Sequence, residues 1–217
     1  MSVAVTRIKM CGLTRVEDVR AAVAAGADAI GFVFYPPSPR HVTPAQAAEL
    51  LRAIPPFVAS VGLFVNADPA EVRVTLETVP LDLLQFHGDA EIETDAYCRQ
   101  FGRPFLKAAA VRPGALAGDD LLQYAASYPS ARALLLDAFV EGYGGGGKVF
   151  DWTLIPPSLM AQVVLSGGLD AANVGEAIRR VRPLAVDVSS GIEAGKGIKD
   201  TAKMQAFARA VREADAE

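Results

Sequence analysis

Two residues in this sequence could move protons at carbon and at oxygen, Cys11 and Asp137. A thiolate can take a proton from carbon, and a carboxylic acid can deliver one to oxygen. Lys9 stands two residues before Cys11, so the two share one face of an extended strand. A free thiol titrates near ~8.5, and a neighbouring ammonium would favour its reactive thiolate form. Asp137 follows the apolar run Leu134-Leu135-Leu136, where a carboxylate is costly to bury unless it is used or paired. Each also has a plainer reading: free cysteine is commonly a small buried hydrophobe, and aspartate commonly caps a turn.

Other residues could anchor a ligand. Arg40 lies in a loop stiffened by Pro36, Pro37 and Pro39, where a guanidinium could clamp a carboxylate through two parallel hydrogen bonds. The alternative is a solvated surface arginine. The motifs SGGL, with Gly167 and Gly168, and SSGIE, with Ser190 and Gly191, are small enough for a phosphate to reach backbone N–H groups. Such glycines can also be ordinary turn residues. His87, just after Gln85-Phe86, is either a site residue or a hydrogen-bonded loop histidine, and Gln85 is a further candidate on the same strand. Cys98 and Trp152 read as packing residues.

These residues must be positioned by elements, and the chain alternates short apolar runs with helical stretches. Strands are expected at Val5 to Met10, Ala29 to Phe34, Phe57 to Val65, Leu81 to Phe86, Phe105 to Val111, Ala133 to Leu136, Gln162 to Leu165 and Leu184 to Val188. Helices are expected at about 15–25, 44–53, 70–78, 92–101, 115–127, 172–181 and 201–214. Thr14 with Glu17, Thr43-Pro44 and Asp68-Pro69 read as helix starts, and Gly26 as a helix end. A glycine-rich loop, Gly142 to Gly147, follows the sixth strand.

Strand–helix alternation implies a parallel sheet, and eight units imply closure into a single (β/α)8 TIM barrel spanning residues 1–217. An open doubly wound sheet would want G-x-G-x-x-G after its first strand, and MCGLTR is not that. In a barrel the site lies at the C-terminal strand ends, where Cys11, His87, Asp137 and both glycine motifs fall, and phosphate often binds after strands seven and eight.

Composition narrows the rest. The chain has 217 residues, 51% of them hydrophobic and 21% charged, with a net charge of −4. That is a globular composition without the basic footprint of a nucleic-acid or membrane-surface binder. Neither a secretory leader nor a bilayer-spanning run is evident, and two cysteines are too few for a disulfide scaffold, so a reduced, cytoplasmic setting is expected. His41 and His87 lie far apart, and no metal-ligand spacing occurs, so neither metal nor cofactor is expected. Either a monomer or a homodimer is compatible with the sequence.

Eight stretches carry a resemblance: KMCGLT, GADAIGFVFYPPSPRHV, VGLFVN, LLQFHGD, LLLDA, GGGGKVFDW, LSGGLDAANV and AVDVSSGIEAGKGIKD. In this order they closely resemble the phosphoribosylanthranilate isomerase family of tryptophan biosynthesis. The resemblance implies an Amadori rearrangement of N-(5-phosphoribosyl)anthranilate on a (β/α)8 barrel. It implies Cys11 as general base, Asp137 as general acid and Arg40 as the contact for the anthranilate carboxylate. Gly167, Gly168, Ser190 and Gly191 would hold the phosphate of this small-molecule substrate. Three positions depart from the family's pattern: the run Gly144 to Gly147 lacks a hydroxyl residue, Met10 replaces a β-branched residue, and His41 stands where an aromatic is common. The rivals are a histidine-pathway or dual-substrate phosphoribosyl isomerase, which would carry aspartate at position 11, a metal-dependent phosphosugar epimerase, and a non-catalytic phosphate-binding barrel.

Overall fold

The computed structural model describes residues 5–111, 116–138 and 150–217. Eight parallel strands close into a barrel: β1 (Arg7–Cys11), β2 (Ala29–Val33), β3 (Ala59–Phe64), β4 (Leu83–Phe86), β5 (Phe105–Val111), β6 (Ala133–Ala138), β7 (Val163–Leu165) and β8 (Ala185–Val188). Each strand pairs with its neighbour in sequence, and β8 closes on β1 with Lys9 opposite Asp187. The expected (β/α)8 barrel is therefore the fold. The glycine-rich loop after β6 lies outside the described residues.

Helices α1 (Val16–Ala25), α2 (Pro44–Leu51), α3 (Pro69–Thr78), α4 (Asp95–Arg99), α5 (Asp119–Ala126), α6 (Pro157–Met160), α7 (Val174–Val181) and α8 (Thr201–Asp215) complete the fold. A small antiparallel pair, β9 (Glu193–Gly195) and β10 (Ile198–Lys199), follows β8. Local signals set several ends. Thr43 and Asp68 each form a capping box, with Gln46 and Glu71, ahead of a proline in the first turn. Gly26 ends α1 in the left-handed conformation.

Other starts differ from the sequence reading. Thr14 does not cap α1; its hydroxyl donates to the Gly197 carbonyl at 2.8 Å, and Arg15 occupies the cap position without a side-chain capping bond to the helix backbone. Helix α4 begins only after Thr94, because Glu93 is committed elsewhere: its carboxylate accepts from Asn66 N, Gly88 N and Lys107 Nζ. Helix α5 starts at Asp119, since the preceding Gly118 N–H is bonded to Leu154 O across the chain. Helix α7 starts at Val174, because Asp170 turns the chain by accepting from Ala172 N and Asn173 N.

Two apolar regions hold the barrel. Leu106, Ala108, Ala133, Leu135, Val164 and Ala185 fill its interior, and a larger layer including Ile8, Met10, Phe32 and Phe86 lies between strands and helices. Side chains alternate along a strand, so the interior set fixes what comes next on the inner face. Asp137 stands two residues beyond Leu135, Asp187 two beyond Ala185, Ser166 two beyond Val164, and Gln85 then His87 follow Leu83. The interior is thus apolar at the bottom and polar at the C-terminal mouth. Cys98 and Trp152 are buried in the outer layer, in keeping with a packing role.

Candidate active site

Cys11 is the last residue of β1 and is almost fully buried. Its register partner on β2 is Gly31. A Cβ at position 31 would stand 2.7 Å from the Cys11 sulfur, so the missing side chain makes room for the thiol. Lys9 lies on the same inner face, with Nζ 2.8 Å from Asp187 Oδ1, and both partners are buried. Ser166 Oγ stands 3.3 Å from the other Asp187 oxygen.

Burial pushes the Cys11 thiol up, Lys9 pulls it down, and Asp187 pushes it up again; the net direction is up. The expected help from Lys9 is present in sign, and burial outweighs it. For Lys9 itself the balance runs the other way. Burial disfavours its charge, but Asp187 and Cys11 together hold it above the usual lysine value.

Asp137 is half-buried near the end of β6. His87 reaches it from the end of β4, with Nε2 3.4 Å from Asp137 Oδ2. Gln85 lies on the far side of the ring, its Nε2 3.2 Å from His87 Nδ1. An amide N–H donated to Nδ1 places the imidazole proton on Nε2, facing the carboxylate. Gly167 closes over the same group, since a Cβ there would stand 2.7 Å from Asp137 Oδ1.

Arg40 is not a solvated surface arginine. It is 8% exposed, and Glu193 takes its guanidinium in a fork: Nε to Oε1 at 2.6 Å and Nη2 to Oε2 at 2.9 Å. Lys199 Nζ bonds the same carboxylate at 2.9 Å. Burial alone would push the Glu193 carboxyl up, but Arg40 and Lys199 hold it below its ordinary value.

The glycine motifs meet above β7 and β8. Gly167 and Gly168 both have positive φ, +82° and +66°. Ser190 and Gly191 open a short 3-10 turn, and a Cβ on Gly191 would collide with the Leu169 carbonyl. Just before this turn, Ser189 donates to the Cys11 carbonyl at 3.1 Å, tying the β8 loop to the end of β1.

Residues 8–210 match the model of the family described as N-(5'phosphoribosyl)anthranilate (PRA) isomerase. The chain belongs to this family. It is 68% identical to N-(5'-phosphoribosyl)anthranilate isomerase of Dechloromonas aromatica (strain RCB), over 97% of this chain and 98% of the relative. A phosphoribosyl anthranilate isomerase from Thermotoga maritima is 40% identical, with a TM-score of 0.85 over 96% of this chain and 99% of that one. Another solved isomerase, in complex with reduced 1-(o-carboxyphenylamino)-1-deoxyribulose 5-phosphate, is 38% identical, with a TM-score of 0.81 over the same shares. Membership makes this chain an isomerase of the (β/α)8 class.

Within this member of the isomerase family, the structure gathers Cys11 with Lys9, Asp137 with His87 and Gln85, and the two glycine motifs with each other. Sequence reasoning missed Asp187, Glu193 and Lys199. A charged residue between Val186 and Val188 was the available signal for Asp187. Nothing local marked Glu193, whose partners come from β10 and from the loop after β2. Among the described residues, no group of three or more His, Cys, Asp or Glu side chains is placed to hold a metal, and no helix is long and apolar enough to cross a membrane.

Proposed function

We propose that this chain converts N-(5-phosphoribosyl)anthranilate to 1-(2-carboxyphenylamino)-1-deoxyribulose 5-phosphate by acid–base catalysis in tryptophan biosynthesis. The observation that carries the reading is the pair of groups on the inner face of the mouth: a buried thiol ending β1 beside an ammonium, and a half-buried carboxyl on β6 beside an imidazole.

Asp137, as the acid, protonates the furanose ring oxygen, and the ring opens to a Schiff base. Cys11, as the base, then removes the C2′ proton, and the electron pair shifts to give the enol-amine, which tautomerises to the ketose. Each positioned acid or base supplies typically ~10²–10⁴-fold. Arg40 receives the anthranilate carboxylate, and Gly167, Gly168, Ser190 and Gly191 receive the phosphate. Anchors at both ends of the substrate hold the sugar carbons between acid and base. The steps call on no metal or organic cofactor. All named residues come from one barrel, which we read as a single isomerase domain over residues 1–217 of a cytoplasmic monomer or homodimer.

Cys11 favours this substrate over the histidine-pathway one, whose isomerases carry aspartate at that place. The test is to form phosphoribosylanthranilate in situ from anthranilate and phosphoribosyl pyrophosphate with the joining transferase. Enzyme-dependent loss of its fluorescence, with the aminoketose identified by NMR, is expected. A rate equal to spontaneous decay, or turnover of the imidazole substrate alone, would overturn the reading.

A further inference from the structure

Glu193 takes no part in the proton transfers, yet it is among the most heavily bonded carboxylates of the mouth. It is 8% exposed. Oε1 accepts from Arg40 Nε at 2.6 Å, from Lys199 Nζ at 2.9 Å and from Gly197 N at 3.3 Å, while Oε2 accepts from Arg40 Nη2 at 2.9 Å. One negative charge therefore faces two positive ones, and the cluster keeps one unit of positive charge in a nearly dry place.

The fork fixes a plane. A guanidinium has two edges suited to a carboxylate, and Glu193 occupies the Nε/Nη2 edge. No described residue accepts from Nη1, so the Nη1/Nη2 edge keeps donors for a second carboxylate. The stem is fixed as well. It runs over Gly12, next to Cys11, where a Cβ would stand 2.5 Å from Arg40 Cδ. Lys199 is itself anchored, donating to the Ser189 carbonyl at 2.9 Å.

We infer that Glu193 is a positioning residue that locks the Arg40 guanidinium with one edge turned to the substrate's aryl carboxylate, and so sets selectivity for a carboxylated aniline over a plain one. The inference rests on the proposed role of Arg40. The residual positive charge of the cluster matches the single negative charge of that carboxylate. Pre-ordering a long side chain also removes an entropy loss that binding would otherwise carry.

The experiment uses two stable product analogues, made by reducing the Schiff bases of ribose 5-phosphate with anthranilate and with aniline. They differ only in the carboxylate. Inhibition constants are measured for wild type, Glu193→Gln, Glu193→Asp and Arg40→Ala, together with kcat on phosphoribosylanthranilate. For Glu193→Gln the carboxylated analogue should weaken about tenfold, the scale of one hydrogen bond to a charged group, while the aniline analogue and kcat stay within about threefold. Arg40→Ala should show the same selective loss, at least as large. Equal weakening of both analogues by Glu193→Gln, with Arg40→Ala still selective, would overturn the positioning role and leave Arg40 as the clamp. A wild type that does not discriminate between the analogues, or a non-selective Arg40→Ala, would overturn the Arg40 reading and this inference with it. Should Glu193→Gln fail to fold, Glu193→Asp, with the charge kept one methylene short, decides by the same ratio.

Discussion

Lys9 and Asp187 face each other in register across the β1–β8 seam and form a buried ion pair of 2.8 Å, directly beneath the Cys11 thiol. The pair places one attractive and one repulsive charge beside the same sulfur. That gives opposite expectations for removing either one.

In Lys9→Met the thiolate loses its nearest attraction. Burial and Asp187 then push the thiol further up. A base acts as thiolate, so activity rises with pH towards the thiol value, and the variant's rising limb moves to higher pH. Each unit of movement lowers the rate below that limb about tenfold. Asp187→Asn should move the limb to lower pH. The pH profile of kcat/KM and the rate of thiol alkylation check both, and a limb that stays in place in both variants contradicts the electrostatic account.

The same pair should show in stability. Removing one partner of a buried pair strands the other charge and costs roughly 3–5 kcal/mol. Lys9→Met with Asp187→Leu leaves no stranded charge, and the double variant should be more stable than either single one. Urea unfolding of the four proteins measures this, and additive losses would contradict it.

His87 stands 3.4 Å from Asp137 through Nε2. His87→Leu removes that neighbour and should lower kcat by about tenfold with KM little changed, less than the ~10²–10⁴-fold of a group that itself transfers the proton. His87→Gln, whose amide nitrogen can take the place of Nε2, should recover part of the loss. A change confined to KM would place His87 in binding instead.

Gly31 tests the space around the thiol. In Gly31→Ala the new methyl would lie 2.7 Å from the Cys11 sulfur, so one of them must move. Overpacking of this kind costs about 1–3 kcal/mol, and the displaced thiol should lose at least tenfold in kcat. Unfolding and steady-state kinetics on the same protein separate the two effects. Full activity would mean that the sulfur position is not critical.

What the sequence made legible was local. The eight strands, seven of the helices, the caps at Thr43 and Asp68 and the stop at Gly26 depend on neighbours within a few residues, and the structure keeps them; the four-residue α6 had no counterpart in the pattern. Thr14 read as a cap by the same logic, but its hydroxyl is claimed by Gly197, far along the chain. Alternation from the apolar interior also puts Asp137 on the inner face, and His87 stands beside it, in keeping with the expectation that a carboxylate after three leucines is used or paired. The charge pairs were not legible. Lys9 with Asp187 depends on barrel closure, and Arg40 with Glu193 on the loop after β2 meeting β9. Pairing across such distances follows from register, and register is set by the whole barrel rather than by either segment.

The proposed mechanism stands on Cys11 and Asp137 as the acid–base pair of one rearrangement. The most direct measurement is the single-turnover rate of fluorescence loss from phosphoribosylanthranilate with wild type, Cys11→Ala and Asp137→Asn. Each substitution should lower the rate by about 10²-fold or more, with tight binding of the reduced carboxylated product analogue retained. A variant that binds the analogue and still turns over near the wild-type rate would contradict the account.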